Sequence, residues 1–475
     1  MISLCNTDRR LKRLISDAIH EFQPIDDSGI AVAVIRDRKL YFAEGFGFRD
    51  RELKTKVDAN TFFAIGSCTK AFMSVLACLF AQDGEISLDQ PIRNYLPDFG
   101  LKDQTATAEL TLEKILSHRT GLPRHDALWY LGPFSRPELY YRLRYLDPIP
   151  SAFKNEQFLY NNIMYMVSGY VLESLFGSWE AAIKTRIFSQ LGMLKTTLTS
   201  SDLTTEHNYA KGYEKDLKLP VKNFVNIGPA AEINSTILEM TKWVLMFLSN
   251  GAGPGGETFI NQIYLQKIYR EYVRTGTDVH YGLGWFIGKI QGRRLLFHQG
   301  DADGYSAYVS FMPDSGLGVI ALTSQHCTKD LVDVWPDKIA ARIYDYLLNK
   351  GTTDQITLPA GLGHYRLFDE IEPKVSSVQA VQIPAEYTGM FSNPGYGDIC
   401  IGKIGEQLCF SYYNNTWPMV QISGTFYIKV WAFGEYQTAP ILFHTTSGKV
   451  DYLSIPFDPV LFKQTGKMVD FTKRV

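Results

Sequence analysis

Apolar residues recur at three- and four-residue steps over Leu11, Leu14, Ile15, Ala18, Ile19 and Phe22, which predicts an amphipathic helix at the start of the chain. Two β-rich runs, residues 29–35 and 40–43, flank the polar residues 36–39 and predict a hairpin. Residues 62–67 then lead into a long apolar helix that ends near Asp83-Gly84, where glycine suits a helix C-cap. Its apolar run, residues 72–81, is too short to span a bilayer and reads as a buried core helix. Residues 85–280 carry mostly helical periodicity, with clear helices over 160–175 and 237–248. Past Gly282-Leu283-Gly284-Trp285 the period changes. Residues 295–297, 305–312 and 317–322 are short β runs, Pro313-Asp314-Ser315-Gly316 turns between the last two, and residues 330–348 return to helix.

An antiparallel sheet assembled from both ends of this region, with helices between, makes an α+β fold with a mainly helical subdomain. Residues 351–383 hold Gly, Pro, Ser and Thr with little periodicity and predict a linker. From residue 387 to about 462 the chain is β-rich with Gly, Pro and Asn at the turns, the pattern of a small antiparallel barrel. The expected division is therefore residues 1–350, a linker over 351–383, and a barrel over 384–475. A chain of 475 residues exceeds one ordinary core, which agrees with two domains.

A net charge of −2 argues against a nucleic-acid partner, which would require a basic face. Six cysteines (Cys5, Cys68, Cys78, Cys327, Cys400 and Cys409), none in a CxxC pair, are too sparse for a disulfide scaffold. Charged residues at Asp8, Arg9, Arg10, Lys12, Arg13 and Asp17 interrupt the stretch where a signal peptide carries its apolar region. The expectation is a cytoplasmic protein that does not engage a membrane.

Ser67-Cys68-Thr69-Lys70 is an S-x-x-K tetrapeptide. A serine hydroxyl is a poor nucleophile until a base takes its proton. Residues three apart on a helix share a face, so the lysine amine reaches the hydroxyl. A serine that opens a helix also offers its own N–H and the helix dipole to a developing oxyanion. A helix-capping serine beside a solvated lysine has the same spelling, and a second copy, Ser151-Ala152-Phe153-Lys154, opens no apolar helix. Two further groups single out Ser67. Tyr160-Asn161-Asn162 starts a helix, which in itself reads as an ordinary helix start with an interfacial tyrosine; the functional expectation is that the phenol, near a lysine, relays protons and that Asn162 hydrogen-bonds an amide-containing substrate. His298-Gln299-Gly300 ends a β run: Gly300 is expected to admit substrate to a strand edge, the N–H of Asp301 to be a second oxyanion donor, and His298 to orient or tune Tyr160 or Lys70, the other reading of the histidine being a surface residue at a strand end.

The ordered set S-x-x-K, Y-x-N and H-x-G resembles the penicillin-recognising serine hydrolases, and within them the class C β-lactamase, D-aminopeptidase and esterase branch. Supporting text includes Asp83-Gly-Glu-Ile-Ser-Leu-Asp-Gln-Pro-Ile92, Tyr95-Leu-Pro97, Leu116-Ser-His-Arg-Thr-Gly-Leu-Pro123 and Tyr281-Gly-Leu-Gly-Trp285. The resemblance covers about residues 10 to 350. It implies that Ser67 is acylated, that Lys70 and Tyr160 are the general base and acid pair, and that His298 stands in the third motif. The β-lactamases commonly carry lysine there, so His298 points toward the esterase and peptidase members. The tail resembles the lipocalin-like domain behind some D-aminopeptidases, esterases and penicillin-binding-protein-type thioesterases.

Three functions follow. The first is a serine hydrolase of a small ester or a peptide, D-amino acids included, with no cofactor. The second is an acyltransferase or peptide-cyclising thioesterase, in which an amine or alcohol replaces water. The third is a non-catalytic penicillin-binding-like sensor. No metal site is expected: His118, His125 and Asp126 lack metal-ligand spacing. Gly251-Ala-Gly-Pro-Gly-Gly256 lacks the Lys-Ser/Thr of a phosphate loop and reads as a surface loop. Trp417, Tyr427, Trp431 and Phe433 are expected to fill the barrel core.

Overall fold

The computed structural model describes residues 8–22, 27–149, 151–276, 278–326, 335–349, 356–359, 385–422, 424–432 and 435–474. The chain divides into two compact units. One comprises Met1–Leu96, Thr111–His118 and Tyr165–His364; the other comprises Pro97–Leu110, Arg119–Met164 and Tyr365–Val475. The expected linker, 351–383, lies outside the described residues except for 356–359.

The first unit is built on an antiparallel sheet. Its elements are α1 (Arg9–Phe22), β1 (Ile30–Arg36), β2 (Lys39–Phe46), α2 (Thr69–Gln82), α3 (Ile237–Leu248), β3 (Val273–Arg274), β4 (His280–Tyr281), β5 (Phe286–Ile290), β6 (Arg293–Ala302), β7 (Tyr305–Met312), β8 (Leu317–Thr323) and α4 (Trp335–Asn349). The eight strands run in the order β2-β1-β8-β7-β6-β5-β4-β3. β1 from the start of the chain pairs with β8, Val32 opposite Ala321, so the sheet joins both ends of the region as expected. β1, β7 and β8 are apolar and buried on both faces because helices cover both sides: α1 packs on α4, which lies on β7 and β8, and α3 lies on β1 and β8. α2 is buried along nearly its whole length, and Phe72 stacks on Trp243 of α3 with ring centres 3.8 Å apart.

The second unit contains a closed antiparallel barrel of β9 (Gly389–Asn393), β10 (Gly397–Ile404), β11 (Gln407–Tyr412), β12 (Asn415–Ile422), β13 (Thr425–Ala432), β14 (Glu435–Thr446), β15 (Lys449–Ile455) and β16 (Val469–Lys473), with β9 pairing β16. Phe391, Phe410, Tyr412 and Phe471 fill its core. Trp417 is half-buried but lies opposite core Phe410 and stacks on it with ring centres 6.0 Å apart, whereas Tyr427, half-buried between buried Phe426 and Ile428, does not fill the core as expected; the side chains of Trp431 and Phe433 lie outside the described residues. Closure leaves no open sheet edge in this barrel.

Candidate active site

A short strand, Phe62–Ala64, pairs with Asn234–Thr236 and delivers the chain to the turn that carries Ser67. Ser67 does not open the α-helix as expected. It sits in a 3₁₀ turn, Gly66–Cys68, ahead of α2. The cause is Gly66, whose φ of +48° lies outside helical space. A β-carbon on Gly66 would lie 2.5 Å from the Asp301 carbonyl oxygen and 2.8 Å from the Asp301 nitrogen, so the backbone of β6 runs directly beside this turn. On the other side of the contact, a β-carbon on Gly300 would lie 1.9 Å from the Ile65 carbonyl oxygen. This approach is open because β5 pairs with β6 only from Arg293 to Phe297. Past Phe297 that stretch of β6 meets the Ser67 turn, and Cys68 Sγ donates to the His298 carbonyl at 3.4 Å.

Lys70 is fully buried, and its Nζ donates to Ser67 Oγ at 2.9 Å and to the Ala230 carbonyl at 2.9 Å. Its Nζ lies 5.4 Å from the Tyr165 ring centre. Sequence reasoning missed the segment that frames this pair. Around Ala230, the Ile233 carbonyl accepts from Ile65 N–H at 3.0 Å, and Ile233 N–H donates to Thr69 Oγ1 at 3.1 Å. No short motif announces it; residues 228–236 work through backbone groups.

His298 is fully buried. Its Nδ1 lies 2.5 Å from the Gln299 carbonyl oxygen, which can only accept, so Nδ1 carries the proton. Nε2 is then the acceptor for the Tyr281 hydroxyl at 3.0 Å. Burial, assisted by the Lys70 charge, pushes the imidazole pKa down to about 3, so His298 is neutral at physiological pH. Tyr281 was legible in the sequence only as part of the segment before the third motif. It packs beside His118, whose ring lies 5.0 Å from Tyr281 and 4.9 Å from Tyr165. Asp301 is exposed, and its Oδ1 accepts from Ser306 Oγ at 3.0 Å.

In the second unit, Tyr160 is 5% exposed and its ring faces the Arg124 guanidinium, 5.0 Å from the ring centre. Asn161 accepts from Met164 N–H at 2.8 Å and thereby starts the helix Asn162–Phe176 two residues later than the periodicity predicts. Asn162 Nδ2 donates to Asp126 Oδ1 at 3.3 Å. Asp126, fully buried, also accepts from Trp129 Nε1 at 2.5 Å and Arg124 Nε at 2.6 Å. Arg124 and Asp126 are the polar framework that sequence reasoning did not find, because their connection to Asn162 exists only in the folded chain.

Ser151 and Lys154, the second S-x-x-K copy, are both exposed, and Ser151 has φ +61° in place of a helical start. Among the described residues no group of three or more His, Cys, Asp or Glu side chains is arranged to hold a metal ion. Among them, too, no helix is long and apolar enough to cross a membrane.

The Beta-lactamase family matches residues 19–341. Unguisins hydrolase ungD' of Aspergillus campestris is 28% identical over 351 residues, 65% of this chain and 63% of its own length. Unguisins hydrolase ungD of Aspergillus violaceofuscus is 28% identical over 335 residues, 64% of this chain and 59% of its own. Protein flp of Staphylococcus aureus (strain MW2) is 22% identical over 318 residues, 64% of this chain and 61% of its own. The chain thus spans about three fifths of the length of these curated relatives. Over its full extent the fold is similar to that of the octameric penicillin-binding protein homologue from Pyrococcus abyssi, with a TM-score of 0.60 at 19% identity, covering 98% of this chain and 99% of that one.

Proposed function

The chain belongs to the beta-lactamase family, and from that premise we propose that it is a serine hydrolase working through an acyl-enzyme on Ser67. The observation that carries this reading is the 2.9 Å hydrogen bond between buried Lys70 Nζ and Ser67 Oγ. In the proposed reaction Lys70, in its uncharged form, takes the Oγ proton as Oγ attacks the substrate carbonyl. Charge then collects on the carbonyl oxygen. The N–H groups of Ser67 and Asp301 are the proposed donors to it, supported by the close approach of Gly66, beside Ser67, to the Asp301 backbone. Tyr160 supplies the proton to the leaving group, and water later releases the acyl group by the reverse path.

The proposed substrate is a small ester or a peptide, D-amino-acid peptides included. Neutral His298 supports this preference. A β-lactam presents a carboxylate, and a buried neutral imidazole gives it no countercharge. Water is favoured as the acceptor over an amine because two of the relatives are named hydrolases. The hydrolase part is assigned to residues 1–350, with the barrel over 384–475 as an accessory domain. The free thiols of Cys68, Cys78, Cys400 and Cys409 support a reducing, cytoplasmic setting.

A fluorophosphonate probe tests the reading. Wild-type chain is expected to label and Ser67→Ala to remain unlabelled; folded wild-type chain that does not label would sink the proposal and favour a non-catalytic binder. A panel of p-nitrophenyl esters, D- and L-aminoacyl amides and a chromogenic cephalosporin then ranks substrates, with the cephalosporin expected to be turned over least.

A further inference from the structure

Within the second unit, the barrel segment and the residues before Tyr160 meet at His125. The His125 backbone N–H donates to Asp458 Oδ2 at 2.6 Å, its Nδ1 lies 2.7 Å from the Tyr396 hydroxyl, and its Nε2 lies 3.0 Å from the Asp147 carbonyl oxygen. Tyr396 and Asp458 are both buried, and the Tyr396 ring stacks on Phe457 at 5.3 Å. His125 holds φ +48°, a conformation that costs a side-chain-bearing residue about 1–3 kcal/mol and persists only where its surroundings impose it. Here the imposing groups are Asp458, Tyr396 and the Asp147 carbonyl.

The adjoining residues carry this constraint onward. Arg124 lies over the Tyr160 ring, and Asp126 accepts from Asn162. The carbonyls of Leu122 (3.3 Å) and Pro123 accept from Asn161 Nδ2. Residues 122–126 therefore touch each of Tyr160, Asn161 and Asn162. We infer that Asp458 is a positioning residue: the barrel, gripping His125 through Asp458 and Tyr396, sets the placement of Tyr160 and Asn162. This rests on the reading of Tyr160 as a catalytic residue.

The chemistry at Asp458 suggests a clean perturbation. Its two oxygens serve two donors: Oδ2 takes the His125 N–H, and Oδ1 takes the Leu461 N–H at 2.9 Å, capping the helix Pro459–Thr465. An asparagine has one acceptor oxygen. Asp458→Asn retains the helix cap and leaves the His125 N–H facing an amide NH₂, or the reverse; either way one of the two is lost. Tyr396→Phe removes only the hydroxyl at His125 Nδ1 and leaves the carboxylate in place.

The test uses the full chain and a p-nitrophenyl ester, with active sites counted by fluorophosphonate titration and folding followed by the thermal midpoint. Displacements of about 1 Å near reacting groups cost on the order of 100-fold. Asp458→Asn is accordingly expected to lower kcat about 10–100-fold, and Tyr396→Phe by a smaller factor, with KM within about twofold of wild type. In a Tyr160→Phe background, Asp458→Asn is expected to cause no further loss on this ester, which lacks the amide that Asn162 would bind. Wild-type kcat in both folded single variants would overturn the inference, and so would losses that multiply in the double variant, because Asp458 would then act apart from Tyr160. If Asp458→Asn does not fold, Tyr396→Phe and its double variant with Tyr160→Phe decide. Unchanged kcat in Tyr160→Phe alone would remove the reading of Tyr160 and this inference with it, while Ser67 labelling would still report on the nucleophile separately.

Discussion

Replacing Gly300 with alanine adds one methyl group where strand β6 meets the turn that carries Ser67. The new carbon would lie 1.9 Å from the Ile65 carbonyl oxygen and 3.1 Å from Cys68 Sγ. Real β-carbons keep at least 3.0 Å from other heavy atoms, so backbone must give way by about 1.1 Å, the difference between 3.0 and 1.9 Å. Neither side yields easily. Gly300 is held to Ala307 of β7 in the sheet, and Ile65 is tied to the Ile233 carbonyl at 3.0 Å. Overpacking of this kind costs about 1–3 kcal/mol in stability. The larger effect falls on reactivity, because a turn displaced by about 1 Å carries Ser67 with it, at an expected cost on the order of 100-fold. The assay is the second-order rate of fluorophosphonate labelling, read beside the thermal midpoint. Gly276→Ala is the control, since no heavy atom lies within 4 Å of a β-carbon there. A Gly300→Ala chain that labels at the wild-type rate would refute the claim that close backbone approach builds this site.

Lys70→Ala and Tyr160→Phe are each expected to slow ester turnover about 10²–10⁴-fold with the fold intact, and the double variant to lose less than the product, the result expected of the proposed acid–base pair; full multiplication of the losses would count against a shared role. His298 titrates near 3 in the folded chain against an ordinary value of 6.5. Between those pH values the unfolded chain binds a proton that the folded chain does not, so the contribution of His298 is complete above pH 6.5 and declines as pH falls toward 3. Urea midpoints from pH 6.5 to 4 are expected to fall more gently for His298→Gln than for wild type, and parallel slopes would contradict the burial argument. Burial raises the thiol pKa of Cys78 to about 12 and pushes that of Cys68 up as well. Iodoacetamide at pH 8 is expected to modify neither in the native chain, as read by peptide mass spectrometry.

Elements with long, one-sided or wholly apolar periodicity were legible in the sequence: α1, α2, α3 and strands β7 and β8 fall where the pattern places them. β3 and β4 were not, because two-residue strands are too short to show alternation and exist only through pairing, β4 with β5 and β3 with β4. The Ser67-Lys70 pair was legible because three-residue spacing encodes its own geometry. The Tyr281–His298 hydrogen bond spans 17 residues and the Asn162–Asp126 contact spans 36, and neither leaves a periodic trace. Gly66 delayed the start of α2 by two residues through a positive φ that its neighbours in sequence do not announce.

The second unit draws on segments that lie far apart along the chain, and this has a consequence for biosynthesis. Asp458 follows His125 by 333 residues. At a synthesis rate of about 5–20 residues per second, the ribosome makes the first stretch some 15–70 s before its partner exists. For that interval the N–H of His125 must be satisfied by water, and the carbonyl of Leu131, which waits 284 residues for Asn415 Nδ2, is in the same position for nearly as long. The left-handed turn at His125 cannot be imposed until Asp458 has been made. The residues ahead of Tyr160 therefore take their final shape only after all but the last barrel strand has been synthesised, and nascent chains stalled short of residue 458 should expose residues 119–164 to proteases and chaperones.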